Sequence, residues 1–214
     1  MSPPADPHAD GELLTAGAPP EVAKAAVVLL HGRGDSASNL LRLADEFYQR
    51  GVLLLAPEAE GRRWFPWSPA APLDDQEPWR SSAVGAVERA LDVAADAGIA
   101  ADRCVLFGFS QGAALAGEVA VSRPRRYGGI AMLAGGLLGD IPGRAFTGSL
   151  DGTPAFLGVG DDDPNVSLDR VSASAAALES LDASVTHRVY DGLGHAINDD
   201  EVAVVDGLVA GLLD

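Results

Sequence analysis

A single cysteine, Cys104, stands in the whole chain, so no internal disulfide framework can hold this fold together. It lies in the apolar run Cys104-Val105-Leu106-Phe107, which predicts a buried, inert thiol rather than a reactive one. Lysine is equally scarce, with Lys24 the only one, and lysine plus arginine number 15 against 31 acidic residues. The resulting net charge of −16 repels nucleic acid and anionic membranes, which excludes both as expected partners. No apolar run approaches the roughly 20 residues that span a bilayer, so membrane insertion is not expected. The opening MSPPADPHAD lacks both the basic start and the apolar core of a secretory signal, and the expected compartment is the cytoplasm. Two accounts of the acidity stay open. Carboxylates keep a surface solvated where high salt screens their repulsion, and GC-rich codon usage favours Ala, Gly, Arg and Asp over Lys.

What is present is a chain of 214 residues, 47% apolar, long enough for one well-buried core. Residues 1–10 read as a polar N-terminal tail and 11–214 as a single domain. A first short strand is expected at 12–16. Residues 25–30 and 52–56 are fully apolar runs of strand length, suited to burial on both faces. Between them Leu40, Leu43, Ala44 and Phe47 recur at helical spacing, with Ser36 or Ser38 as a cap and Gly51 as the stop. Further strands are predicted at 103–109, 127–133, 154–159 and 184–190, with helices at 78–97, 111–122, 166–181 and 198–213. This alternation predicts an α/β fold, a mostly parallel central sheet with helices on both faces and no large lid domain. In such sheets the chemistry lies beyond the carboxyl ends of the strands.

Gly108-Phe109-Ser110-Gln111-Gly112 fits G-x-S-x-G and falls between a predicted strand and a predicted helix. That setting makes it a nucleophile elbow. A sharp turn lifts the Ser110 hydroxyl above the sheet, at a helix N-terminus whose dipole favours developing negative charge. The rival reading is an ordinary glycine-flanked strand-to-helix turn.

A serine nucleophile needs a base, and the chain has four histidines. His8 falls in the tail, His31 opens a glycine turn and His187 lies inside a predicted strand. His195 follows the last strand and precedes the last helix, so it reaches the strand ends; the order serine then histidine suits this fold. His187 remains the alternative base. The acid belongs in a loop between them, and Asp161-Asp162-Asp163 directly follows the strand at 154–159. The residues alone leave open which of the three serves. A calcium site is the competing use of three aspartates, but the spacing lacks the glycine and distal glutamate of a binding loop. His31-Gly32-Arg33-Gly34 follows the strand at 25–30, where a turn amide paired with the N–H of Gln111 would form an oxyanion hole. Main-chain groups suffice there, so the Arg33 side chain need not participate. All three tryptophans, Trp64, Trp67 and Trp79, fall in segment 57–79, which is expected to wall the acyl or alcohol site or else to cover the sheet edge as core.

Leu30-His31-Gly32-Arg33-Gly34-Asp35, the GFSQG elbow, the Asp163-Pro164 step and the Gly194-His195 pair together resemble the phospholipase/carboxylesterase family, which includes acyl-protein thioesterases. The resemblance runs from about residue 25 to the end. The stretch from Trp64-Phe65-Pro66-Trp67 to Glu77-Pro78-Trp79-Arg80-Ser81-Ser82 is similar to a bacterial subgroup of predicted esterases. The resemblance implies a triad of Ser110, Asp163 and His195, oxyanion donors at Arg33 and Gln111, and no cofactor. One departure is Asn165-Val166-Ser167, where members often carry two apolar residues and a proline. The expected function is carboxylic-ester hydrolysis through an acyl-enzyme, with a small-molecule ester as substrate and no metal. Thioesterase or lysophospholipase activity is the alternative, and a non-catalytic binding protein is the reading from another class. A dienelactone-type hydrolase would need cysteine at the position of Ser110. A homodimer is left open.

Overall fold

The computed structural model describes residues 6–214. Seven strands form its sheet: β1 (Leu13–Gly17), β2 (Ala25–Leu30), β3 (Val52–Pro57), β4 (Cys104–Phe109), β5 (Gly129–Leu133), β6 (Pro154–Gly160) and β7 (Ser184–Tyr190). Their order is β1-β3-β2-β4-β5-β6-β7, parallel throughout except for β1, which pairs antiparallel to β3 at one edge. The helices are α1 (Ala37–Ala44), α2 (Trp79–Asp96), α3 (Gln111–Ser122), α4 (Leu168–Glu179) and α5 (Asp199–Ala210).

Strand periodicity divides the core in two. Ala26, Val28, Leu30 and Leu106 point to the face covered by α2, α3 and α4, while Val27, Leu29, Val105 and Phe107 point to the face covered by α1 and α5. Every residue of β2 and β3 is buried, which explains why their sequences show no polar alternation. Truncating a central leucine such as Leu29 or Leu106 to alanine costs about 2–5 kcal/mol in such packing. β7 is an edge strand and alternates between exposed and half-buried positions.

Local capping trims the predicted helices. The Ser167 hydroxyl accepts from the N–H of Arg170, so α4 begins at Leu168, later than the expected 166. Asn198 caps α5 in a capping box with Glu201. Cys104 is buried and its thiol is pushed up to about 12 by desolvation, the inert state expected of it.

The expected polar tail is corrected where it is described. Residues 1–5 lie outside the described residues, but from Asp6 onward the segment is docked. The backbone N–H of His8 donates to Ser82 Oγ at 2.7 Å, and its carbonyl accepts from Arg89 at 2.6 Å. The His8 ring is fully buried between Trp64 and Trp79. Its Nδ1 accepts from Glu60 N and its Nε2 donates to Trp64 O, both at 3.1 Å. Burial lowers its pKa, so it holds these bonds as a neutral ring. Polarity here means satisfied hydrogen bonds, not solvation.

Another buried polar feature escapes sequence patterning. Glu118, on the apolar helix α3, is fully buried and accepts from both Arg80 and Arg144 at 2.7–3.0 Å. Removing this carboxylate would strand two guanidinium groups, which is far costlier than losing a surface pair.

Candidate active site

The turn after β4 carries the first element of the site. Ser110 has φ 56° and ψ −114°, a region that ordinary side chains avoid. Two glycines make the turn sterically possible. A Cβ on Gly108 would collide with the backbone of Gly112, and one on Gly112 with the carbonyl of Leu30. The N–H of Ser110 donates to Leu133 O at 2.8 Å, tying the turn to β5. Ser110 occupies the N-cap position of α3, yet its hydroxyl makes no cap. It lies instead 2.9 Å from His195 Nε2.

His195 comes from the loop between β7 and α5, and its Nδ1 is 2.7 Å from Asp163 Oδ2. A carboxylate only accepts, so Nδ1 carries the proton and Nε2 is left to accept from the serine. Asp163 sits in the loop after β6, its side chain fully buried. Its other oxygen, Oδ1, accepts from the N–H groups of Asn165 at 2.8 Å and Val166 at 3.1 Å. Both neighbours point elsewhere: Asp161 accepts from Gly192 N at 2.7 Å, and Asp162 is exposed. The structure therefore separates the three aspartates, which composition could not. His187 stays within β7 opposite Leu157, away from this group, with its Nε2 buried and without a partner among the described residues.

A cleft of about 850 Å³ opens over these residues. Ser110, His195, Arg33 and Gln111 all line it, the last two from the turn after β2 and the start of α3. The side chains of Arg33 and Gln111 have a further task. Gln111 Oε1 accepts from Trp64 N and its Nε2 donates to Phe65 O, both at 2.8 Å. Arg33 Nη2 donates to Phe65 O at 2.7 Å and to Pro66 O at 2.9 Å. Together they pin the backbone that forms one wall. His31 braces the same turn from beneath: its Nε2 accepts from Ala59 N at 3.1 Å, so its Nδ1 donates to Gly32 O at 2.8 Å.

The expected aromatic wall is corrected in two of its three members. Trp67, 58% exposed, lines the cleft. Trp64 is completely buried, donating from its indole N–H to His31 O at 2.9 Å. Trp79 packs against His8 and beneath the Arg63 guanidinium instead of the cleft. Trp64 is a core residue and Trp79 is half-buried, and the docked segment around His8, invisible to local patterning, packs against both rings. Among the described residues no group of three or more His, Cys, Asp or Glu side chains is placed to hold a metal ion. No described helix is long and apolar enough to cross a membrane.

Comparison with known proteins agrees with this architecture. A family model described as phospholipase/carboxylesterase matches residues 15–210. Acyl-protein thioesterase 1 of Saccharomyces cerevisiae is 31% identical over 205 residues, spanning 84% of this chain and 89% of that protein. A phospholipase/carboxylesterase from Dyadobacter fermentans superposes with a TM-score of 0.88 at 35% identity, covering 94% of this chain and 96% of the other. A carboxylesterase of Bacillus cereus shares the fold at 21% identity, with a TM-score of 0.77 and 95% of each chain covered.

Proposed function

The chain belongs to the phospholipase/carboxylesterase family of α/β-hydrolases, and from that premise we propose that it is a serine carboxylesterase working through an acyl-enzyme. The observation that carries the reading is the hydrogen-bonded series Asp163–His195–Ser110, with spacings of 2.7 and 2.9 Å, at the cleft. His195 Nε2 takes the Ser110 proton as Oγ attacks the ester carbonyl. Asp163 holds the imidazole with Nδ1 protonated and stabilises the imidazolium. The N–H groups of Arg33 and Gln111 receive the oxyanion, the latter at the first turn of α3, where the helix dipole adds to the stabilisation. His195 then protonates the departing alcohol, and a water molecule repeats the sequence to free the acid and regenerate Ser110.

A second reading, thioester hydrolysis, is favoured by the thioesterase relatives. The same groups would serve it, since a thiolate leaves without needing full protonation. Two measurements test these readings. A fluorophosphonate should label Ser110, and Ser110→Ala should remain folded while losing roughly 10³-fold or more of its ester turnover. Retention of more than a tenth of the activity would sink the assignment. The ratio of kcat/KM for acyl esters over matched acyl thioesters then decides between the two substrates.

A further inference from the structure

The cleft reverses the charge balance of the molecule that surrounds it. The whole chain carries two acidic residues for each basic one, 31 against 15. The cleft is lined by two arginines, Arg33 and Arg170, and its one acidic residue, Asp163, has a fully buried side chain engaged with His195. A cleft lined by charge of one sign focuses the field within it, here against the anionic background of the rest of the molecule.

Arg170 is the more informative of the two. It projects from the first turn of α4, directly after the loop bearing Asp163. Its Nη1 donates to Leu137 O and, at 3.3 Å, to Gly139 O, and its Nη2 donates to Gly139 O at 3.2 Å. Those bonds occupy the end of the guanidinium. The side edge, made of Nε–H and the remaining Nη2 hydrogen, has no protein acceptor among the described residues, and Nε is not sealed from solvent. No carboxylate lies within ion-pair distance of Arg170 among the described residues, although it is half-buried. Burial lowers its pKa, Asp140 opposes that shift without an ion-pair contact, and the arginine stays protonated at neutral pH. Arg33 is exposed, with Nη2 committed to Phe65 and Pro66, while Nε and Nη1 have no acceptor among the described residues.

We propose that the substrate is an anionic ester whose acyl or alcohol part ends in a carboxylate, received by the free side edge of Arg170 with Arg33 as the second positive charge. The side edge of a guanidinium presents two parallel N–H groups that match the two oxygens of a carboxylate. The anion completes the charge balance that the fold leaves open, and it anchors one end of the ester while Ser110 attacks the other. This inference rests on the hydrolase reading above and goes beyond it by naming the substrate class.

The test compares esters matched in carbon skeleton, one member of each pair carrying a carboxylate and the other neutral. On the acyl side these are p-nitrophenyl hemiglutarate and its neutral counterpart p-nitrophenyl valerate. On the alcohol side they are the butyryl esters of p-hydroxybenzoate and p-hydroxybenzamide. In at least one pair the wild-type enzyme should favour the anionic ester by about tenfold or more in kcat/KM, with the preference shrinking as salt rises. The pair that shows it identifies the side of the ester that carries the anion. Arg170→Gln should bring that ratio close to unity, and Arg170→Lys should leave it intermediate because charge remains and the fork does not. Ratios are read because Arg170 also holds Leu137 and Gly139, so general damage cancels. Should Arg170→Gln fail to fold, competitive inhibition of the wild-type enzyme by glutarate but not by glutaramide reports the same contact. Hydrolysis of both members of each pair with no anionic preference overturns this proposal and leaves the hydrolase reading intact. Failure to hydrolyse any of the four, with no fluorophosphonate labelling of Ser110, overturns the hydrolase reading itself. A preference unchanged in a folded Arg170→Gln removes Arg170 from the assignment.

Discussion

Replacing Asp163 with asparagine tests the site at its most constrained point. Asp163 Oδ1 accepts from two backbone N–H groups, those of Asn165 and Val166, and Oδ2 accepts from His195 Nδ1. The asparagine amide has one acceptor oxygen, and the two N–H groups claim it, because an NH₂ placed against them would bury donors against donors. The amide nitrogen must then face His195. It donates there, so Nδ1 becomes the acceptor and the ring proton moves to Nε2, where it faces Ser110 and cannot receive the serine proton. The geometry survives while the tautomer is wrong. A loss of about 10⁴-fold in kcat follows, near 5 kcal/mol of transition-state stabilisation, with the melting temperature little changed. Asp161→Asn is the control: it alters one contact, to Gly192 N, and should cost less than about tenfold. The measurement is steady-state hydrolysis of a p-nitrophenyl ester at neutral pH, normalised to folded protein. Asp163→Asn retaining a tenth of wild-type turnover, or Asp161→Asn proving the inactive variant, would refute the reasoning.

Trp67→Ala should shift acyl chain-length preference severalfold while costing within about 1 kcal/mol of stability, since Trp67 is 58% exposed at the cleft; a large stability loss with unchanged preference contradicts this. Glu201 is fully buried, with Oε1 unpartnered among the described residues, and desolvation pushes its carboxyl up to about 7. The folded chain then holds a proton that the unfolded chain releases near pH 4.3, so this group's contribution to stability declines from about pH 4.5 to 7 and is level above. Urea unfolding of Glu201→Gln should accordingly gain on wild type by roughly 2–3 kcal/mol between pH 5 and 8, whereas a pH-independent difference argues that the carboxylate is ionised throughout. Raising salt from low to molar levels should raise the melting temperature if the net charge of −16 reflects a saline habitat, and a flat response favours codon usage.

Sequence alone determined the features whose physics is local. Full burial of β2 and β3 writes itself as uninterrupted apolar runs, and the alternation of such runs with helical periodicity settles an α/β sheet. The elbow is legible for the same reason: Gly108 and Gly112 are required by collisions within one turn and with the strand beside it. The placement of Ser110 and His195 at strand ends also follows from element order, although the two, 85 positions apart, meet only in the folded sheet. Tertiary structure decided what depends on partners far along the chain. Three adjacent aspartates are nearly identical as sequence, and only loop direction gives Asp163 to His195 and Asp161 to Gly192. His8 read as a solvated tail because its partners, Glu60, Trp64 and Ser82, lie more than fifty positions away. That docking in turn removed Trp64 and Trp79 from the cleft. Glu118 and Arg170 show the same limit with opposite outcomes. A charged side chain carries no local sign of its counter-ion, and folding brings Glu118 two arginines while leaving the side edge of Arg170 free. Local sterics and periodicity are written in neighbouring residues; the pairing of buried polar groups is written only in space.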